Sequence, residues 1–243
     1  MREVLLDLVK QTSGLTEALR VMGTAEETVI KGCDADKTLF IEAVLKEPLA
    51  EFEGEFGLSN INLLSGLLNF SNYLTSDATF SVKKKERNGK VTIEQFEFRN
   101  PVTGNDADFR MMDPLHVPEQ ATIPNIPWDV VVTPTKSKVS EFSQLASLYS
   151  EVDRNFGART VLGDLQFYIG DEGSSNHRVS MVFESGVKGE LKGVLQWNTH
   201  QFLAVMKLTG THPTEMKITS RGVLSISVET PYGTYNYFLR ANR

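Results

Sequence analysis

Four histidines and one cysteine are the residues best suited to metal or nucleophilic chemistry, and their placement argues against both. His116, His177, His200 and His212 show no metal-ligand spacing, and the lone Cys33 cannot build a zinc site with them. One cysteine also excludes an internal disulfide and fits a reducing compartment. Asp34-x-Asp36 and Asp106-x-Asp108 pair carboxylates at a spacing able to hold a divalent ion. Both pairs sit in turn-like segments flanked by Gly or Asn, where aspartate is favoured for local hydrogen bonding, so a structural role is expected. No P-loop, Gly-x-Ser-x-Gly elbow or Gly-x-Gly-x-x-Gly fingerprint occurs. The residues therefore point to a protein that is not an enzyme, with no cofactor and no metal.

The bulk properties are those of an ordinary soluble protein, 40% hydrophobic and 23% charged over 243 residues. No run approaches the roughly 18 apolar residues of a membrane span. The opening Met1-Arg2-Glu3-Val4-Leu5-Leu6-Asp7 mixes charges into its apolar pattern and lacks the uncharged core of a signal peptide. A cytoplasmic protein without membrane partners is expected. The net charge of −6 speaks against a broad basic surface for nucleic acid. It leaves room for a protein that touches DNA through a few positioned cations, since net charge does not fix the local sign of a surface.

The elements that must position such cations fall into two halves. Leu115 to Trp128 contains three of the nine prolines, which favours an extended connector. Leu115, Val117, Ile123, Ile126 and Trp128 make it apolar, so it should lie strapped against the body; a plain strap without a binding role fits the same residues. Before it, Glu3 to Thr12 has helical apolar spacing at Val4, Leu5, Leu8 and Val9. Alternating Leu39, Ile41, Ala43 and Leu45 predict a strand. A second helix is expected over 59–68, with Ser59 or Asn60 as cap and Leu64, Leu67 and Leu68 as its stripe. Phe80 to Phe98 reads as a hairpin folded at Asn88-Gly89.

The second half repeats this order. Val139, Phe142, Leu145, Tyr149 and Val152 predict a helix after Thr135-Lys136-Ser137. Strands are expected at 160–169, 178–183 and 191–197. A short helix from Thr199 should bury Phe202, Leu203 and Met206, and a closing pair should turn at Pro231-Tyr232-Gly233. Phe56 to Leu64 lies against Leu195 to Leu203 at a constant offset. The pattern predicts a duplicated α+β domain, with domains at 1–113 and 129–243 and a connector at 114–128.

These features resemble the sliding clamps, most closely the trimeric clamps of T-even-like bacteriophages. The resemblance is carried by Ile123-Pro-Asn-Ile-Pro leading into a strand and long helix, by the strand and short helix of 191–206, and by the end. There, Gly222-Val-Leu-Ser-Ile-Ser-Val-Glu and Tyr235-Asn-Tyr-Phe-Leu-Arg-Ala look like a clamp's terminal hairpin. It implies two similar DNA clamp domains per chain, helices on one face of antiparallel sheets, and assembly into a homotrimeric ring. It further implies duplex DNA held without sequence specificity, a tethered DNA polymerase, a clamp-loader ATPase that opens the ring, and assistance to late transcription. Viral replication would place such a clamp in the host cytoplasm.

The resemblance assigns channel-facing, DNA-binding roles to Arg2, Lys10, Lys136, Lys138, Arg154, His200 and Lys207. The same helices carry Glu3, Asp7, Glu141 and Glu151, and the 59–68 helix has no cation, so a solvated face is an equal reading for any one lysine. Lys83-Lys84-Lys85 is the most basic run, but it adjoins a hairpin turn. A partner-peptide pocket is assigned to Leu115, Val117, Ile123, Ile126, Trp128, Tyr237, Phe238 and Leu239. Simple packing in the last strand also accounts for Phe238 and Leu239. Two other classes stay open: a structural virion protein built from a duplicated domain, and a divergent hydrolase with an unrecognisable site.

Overall fold

The computed structural model describes residues 1–87, 90–118, 126–170 and 177–242. The chain divides into two compact units, Met1–Ala121 with Thr230–Tyr235, and Thr122–Glu229 with Asn236–Arg243. Asn88-Gly89, the expected hairpin turn, lies outside the described residues.

In the first unit α1 (Arg2–Thr12) is followed by β1 (Ala18–Gly23), β2 (Thr28–Cys33), β3 (Leu39–Leu45) and β4 (Gly54–Ser59). These strands form an antiparallel order β4-β1-β2-β3. Then come α2 (Ile61–Asn69) and a second antiparallel sheet of β5 (Thr79–Arg87), β6 (Lys90–Asn100) and β7 (Asn105–Arg110). The expected alternation holds in β3, where Leu39, Ile41, Ala43 and Leu45 are buried and the residues between them are not. Asp34 is consumed by the turn ahead of β3. Its carboxylate accepts from the Thr38 and Leu39 amides at 2.8 Å and from the Thr38 hydroxyl at 2.7 Å. Asp106 and Asp108 lie on β7, where Arg99 of β6 pairs with both. Phe52, Phe56, Phe96 and Phe98 fill the core, with Phe52 stacked on Phe96 at 6.0 Å.

Gly57 shows why the start of the connector is fixed. Its amide and carbonyl exchange hydrogen bonds with Met112 at 2.9 and 2.8 Å. A side chain there would meet a methyl of Val117 at 2.6 Å, so only glycine lets Val117 seat against β4.

The second unit repeats the sequence of elements. β8 (Val130–Val132) and α3 (Lys136–Leu148) precede β9 (Asn155–Val161), β10 (Asp164–Ile169), β11 (Val179–Glu184) and β12 (Gln196–Asn198). α4 (Thr199–Thr209), β13 (Thr214–Thr219), β14 (Val223–Glu229) and β15 (Gly233–Arg240) follow, with β15 belonging to this unit from Asn236 onward. One antiparallel sheet runs β11-β10-β9-β12, and β15, β14, β13 and β8 are neighbours in another. Trp197 is fully buried, and its indole N–H donates to the Leu239 carbonyl at 3.2 Å.

The constant offset read from the sequence breaks by one residue at the second helix of each unit. Leu58 of β4 and Trp197 of β12 are equivalent buried strand residues, but the helices that follow are out of step by one. Ile61, Leu64 and Leu68 of α2 match Thr199, Phe202 and Met206 of α4, all buried. The extra residue is Asn60, which takes a left-handed conformation (φ 53°) and makes no side-chain cap. In the second unit Asn198 leads directly into α4 and caps it, accepting from the Gln201 amide at 3.0 Å.

Four further sequence expectations change. The stretch 160–169 is not one strand: β9 and β10 turn tightly at Leu162-Gly163, both with positive φ (52° and 86°). Leu162 is fully exposed there, an unusual residue for this turn and the reason the sequence reads as continuous. The strand over 191–197 shrinks to β12, with Gly193 at φ 85° ahead of it. α3 ends at Leu148, leaving Val152 outside the helix, and Val205 is buried where Leu203 was expected.

Asp129, just before β8, holds this strand to the β13–β14 turn. Its carboxylate accepts from the Ser220 amide at 2.6 Å and the Thr219 hydroxyl at 3.3 Å. The Ser220 amide bond, then the Ser220 and Thr219 side chains and nearby Lys192, hold its pKa below the usual value against the opposing effect of burial. A depressed carboxylate pKa adds stability above the ordinary value near 4 and loses it as pH falls through the lowered one. Asp129→Ala should therefore cost roughly 1–3 kcal/mol at neutral pH, from charged hydrogen bonds lost. Urea unfolding should show the variant and the parent converging in strongly acidic solution.

Candidate nucleic-acid interface

Each unit packs its two helices side by side, α1 with α2 and α3 with α4. The second pair is locked from below by aromatic rings. Phe142 of α3 and Phe202 of α4 meet at 5.7 Å, and both contact Phe156 and Phe167 of the sheet at 4.9–5.7 Å. Burial of these rings fixes which residues of α3 and α4 are left for solvent.

The helices carry the opposite charge to the chain. Arg2, Lys10, Lys136, Lys138 and Lys207 stand against Glu3, Asp7 and Glu141, an excess of two positive charges in a protein of net charge −6. Two of the three carboxylates are also engaged. Asp7 accepts from the Thr230 hydroxyl at 2.8 Å and the Tyr235 hydroxyl at 2.9 Å. Glu141 pairs with Lys138 at 2.9 Å.

The assigned cations occupy different settings. Lys10, Lys136, Arg154, His200 and Lys207 are exposed; Lys138 is half-exposed and holds Glu141. Arg2 is half-buried and donates to the Tyr73 carbonyl at 2.7 Å and to the Leu68 carbonyl, so it caps the end of α2. Arg154 sits beyond α3 in the turn with Glu151 and Asp153. Lys136, His200 and Lys207 come together along a groove of about 1140 Å³ between α3 and α4. His212, from the segment after α4, joins them; sequence reading passed over it because it falls outside any helix. The Lys83-Lys84-Lys85 run is drawn into local contacts. Lys83 and Lys85 flank Glu94 at 3.4 and 3.5 Å, and Lys84 donates to the Ala50 carbonyl at 3.2 Å.

Of the residues assigned to a peptide pocket, Val117, Ile126, Tyr237 and Leu239 are buried, and Trp128 and Phe238 are half-buried. Leu115 is 86% exposed, and Ile123 lies outside the described residues. Among the described residues no group of three or more His, Cys, Asp or Glu side chains could hold a metal ion. Burial pushes the Cys33 thiol up, and Asp34 adds to the shift while Lys37 opposes it. Among the described residues no helix is long and apolar enough to cross a membrane.

The two α+β units, each with a helix pair and antiparallel sheets, define the chain as a sliding-clamp fold. Solved structures similar to it over its whole length include the PCNA of Thermococcus kodakaraensis, with a TM-score of 0.69 and 12% identity, covering 100% of this chain and 97% of that one. The proliferating cellular nuclear antigen of Entamoeba histolytica gives 0.68 and 11%, covering 100% and 96%. The PCNA of A. fulgidus, solved with the C-terminal region of FEN-1 bound, gives 0.67 and 9%, again covering 100% and 96%. At such identities the likeness is one of fold. No family model and no curated protein sequence matches the chain.

The placement of Arg2 separates it from the other cations. Arg2→Ala should lower stability by roughly 1–3 kcal/mol, because it strips carbonyl partners at the end of α2. Lys10→Ala, on the exposed face of the same helix, should stay within about 0.5 kcal/mol of the parent. Thermal unfolding of the two variants side by side checks this.

Proposed function

We propose that this chain is a sliding clamp: a homotrimeric ring that encircles duplex DNA without sequence specificity and tethers a replicative DNA polymerase. The observation that carries this reading is the match of the entire chain to clamp structures. The charge distribution supports it, since helices that are net positive in an acidic protein suit a surface turned toward DNA. A processivity ring needs topological linkage without tight base contacts, and a few Lys–phosphate contacts are independent of sequence. No catalytic role belongs to this reading.

Ring assembly is supported by strand edges. β7 ends the three-stranded sheet of the first unit and β11 ends the four-stranded sheet of the second. Unpaired edges of this kind are templates for pairing with another chain. An edge on each unit allows head-to-tail contacts between copies, the geometry that closes rings. Leu148, 77% exposed at the end of α3, and Phe70 and Leu74 after α2 supply apolar surface for such contacts.

The finer parts of the reading rest on the sequence resemblance. They are domains at 1–113 and 129–243, a connector at 114–128 that receives partner peptides with Leu115 as its exposed apolar side chain, loading by a clamp-loader ATPase, and action in the host cytoplasm. The T-even-like character and the assistance to late transcription have the same basis. The decisive experiment is loading onto DNA of two topologies by the cognate loader ATPase. The protein should stay on circular duplex through a high-salt wash and run off the same DNA once linearised. Equal retention on both would overturn the topological mechanism.

A further inference from the structure

We infer that the second unit supplies the grip on the DNA backbone, at the groove between α3 and α4, and that the helices of the first unit supply no comparable grip. The inference rests on the clamp reading and sharpens it to one phosphate-binding site per chain. Lys136 stands at the first position of α3, His200 in the first turn of α4 and Lys207 in its last, and His212 follows. All four line the same groove, and among the described residues no carboxylate does. Lys136 and Lys207 supply the groove's fixed charge, and in a chain with 31 acidic residues against 25 lysines and arginines they make this surface locally positive.

The neighbouring carboxylates are already matched. Glu141 of α3 is held by Lys138, and Glu215 of β13 pairs with Lys217 at 2.5 Å. Thr135 caps α3 beside the groove by accepting from the Lys138 amide, and the positive end of that helix dipole adds to Lys136. The carboxyl end of α4 has the opposite sign, and Lys207 lies in that last turn.

Among the described residues, the helices of the first unit offer nothing equivalent. α2 has no charged residue, and its exposed positions are Asn62, Leu63, Gly66 and Asn69. Arg2 is bound to backbone carbonyls, and exposed Lys10 shares its helix with exposed Glu3. The amides of Asn62 and Asn69 suit a surface that passes DNA without holding it. Asn69 donates to the Ser65 carbonyl at 2.9 Å, and Asn62 accepts from the Ser13 hydroxyl at 2.7 Å.

The test is binding of a short fluorescent duplex to the full-length protein over a salt series. The Lys136→Gln/Lys207→Gln double variant changes only exposed side chains, and circular dichroism checks that it folds. It should bind about tenfold more weakly at low salt and flatten the slope of log affinity against log salt by about 2 per bound chain. Lys10→Gln, at a position that the clamp resemblance would also turn toward DNA, should by this inference leave affinity and slope unchanged. An unaltered slope in the double variant, or equal flattening by Lys10→Gln, would overturn the inference. Either result leaves the clamp reading standing, because that reading fails only if circular and linear DNA are retained alike.

Discussion

The contact between Phe142 of α3 and Phe202 of α4, 5.7 Å apart over Phe156 and Phe167, is the interaction on which the proposed DNA-facing surface depends. Truncating a buried phenylalanine of this kind typically costs about 3–5 kcal/mol, so the pairing is a large share of a domain's marginal stability. Its geometric effect matters as much. With Phe142, Ala146, Phe202 and Met206 turned inward, the helical period leaves Lys136, Ser140, Ser143, His200 and Lys207 on the outside. The groove is the outer consequence of an inner aromatic cluster.

Charge follows from the same arrangement. The chain is acidic, yet its helices are net positive, and most of the acids upon them are bound to partners. Asp7 is the clearest case. It is tied to Thr230 and Tyr235 of the first unit, so a residue that counts against DNA binding in the sequence is directed to holding the fold. Arg2 is the mirror case, a cation whose contacts are with carbonyls.

Much of the architecture was legible in the residues. The period-2 pattern of Leu39 to Leu45 and the helical stripes of both halves are local signals, and local signals survive folding. Expectations failed where a rare backbone conformation intervened. Leu162 in a left-handed turn hides a hairpin that Asn-Gly would have announced, and Asn60 shifts α2 by one residue without an ordinary cap. The candidate site was legible only in part. Lys136, His200 and Lys207 could be read from helical position, whereas His212 and the lack of a carboxylate among the described lining residues depend on how α3 and α4 pack. The apolar connector residues were expected to form a binding surface. The structure buries Val117 against Gly57 and leaves Leu115 outside, a division that hydrophobicity alone does not reveal.

The proposed clamp requires that copies of this chain close into a ring through contacts between unlike faces. Solution mass, measured with particle images by electron microscopy at micromolar concentration, tests it most directly. The expected result is a species of three chain masses and annular particles with an open centre. A strict monomer, or a symmetric dimer without a central opening, would contradict it.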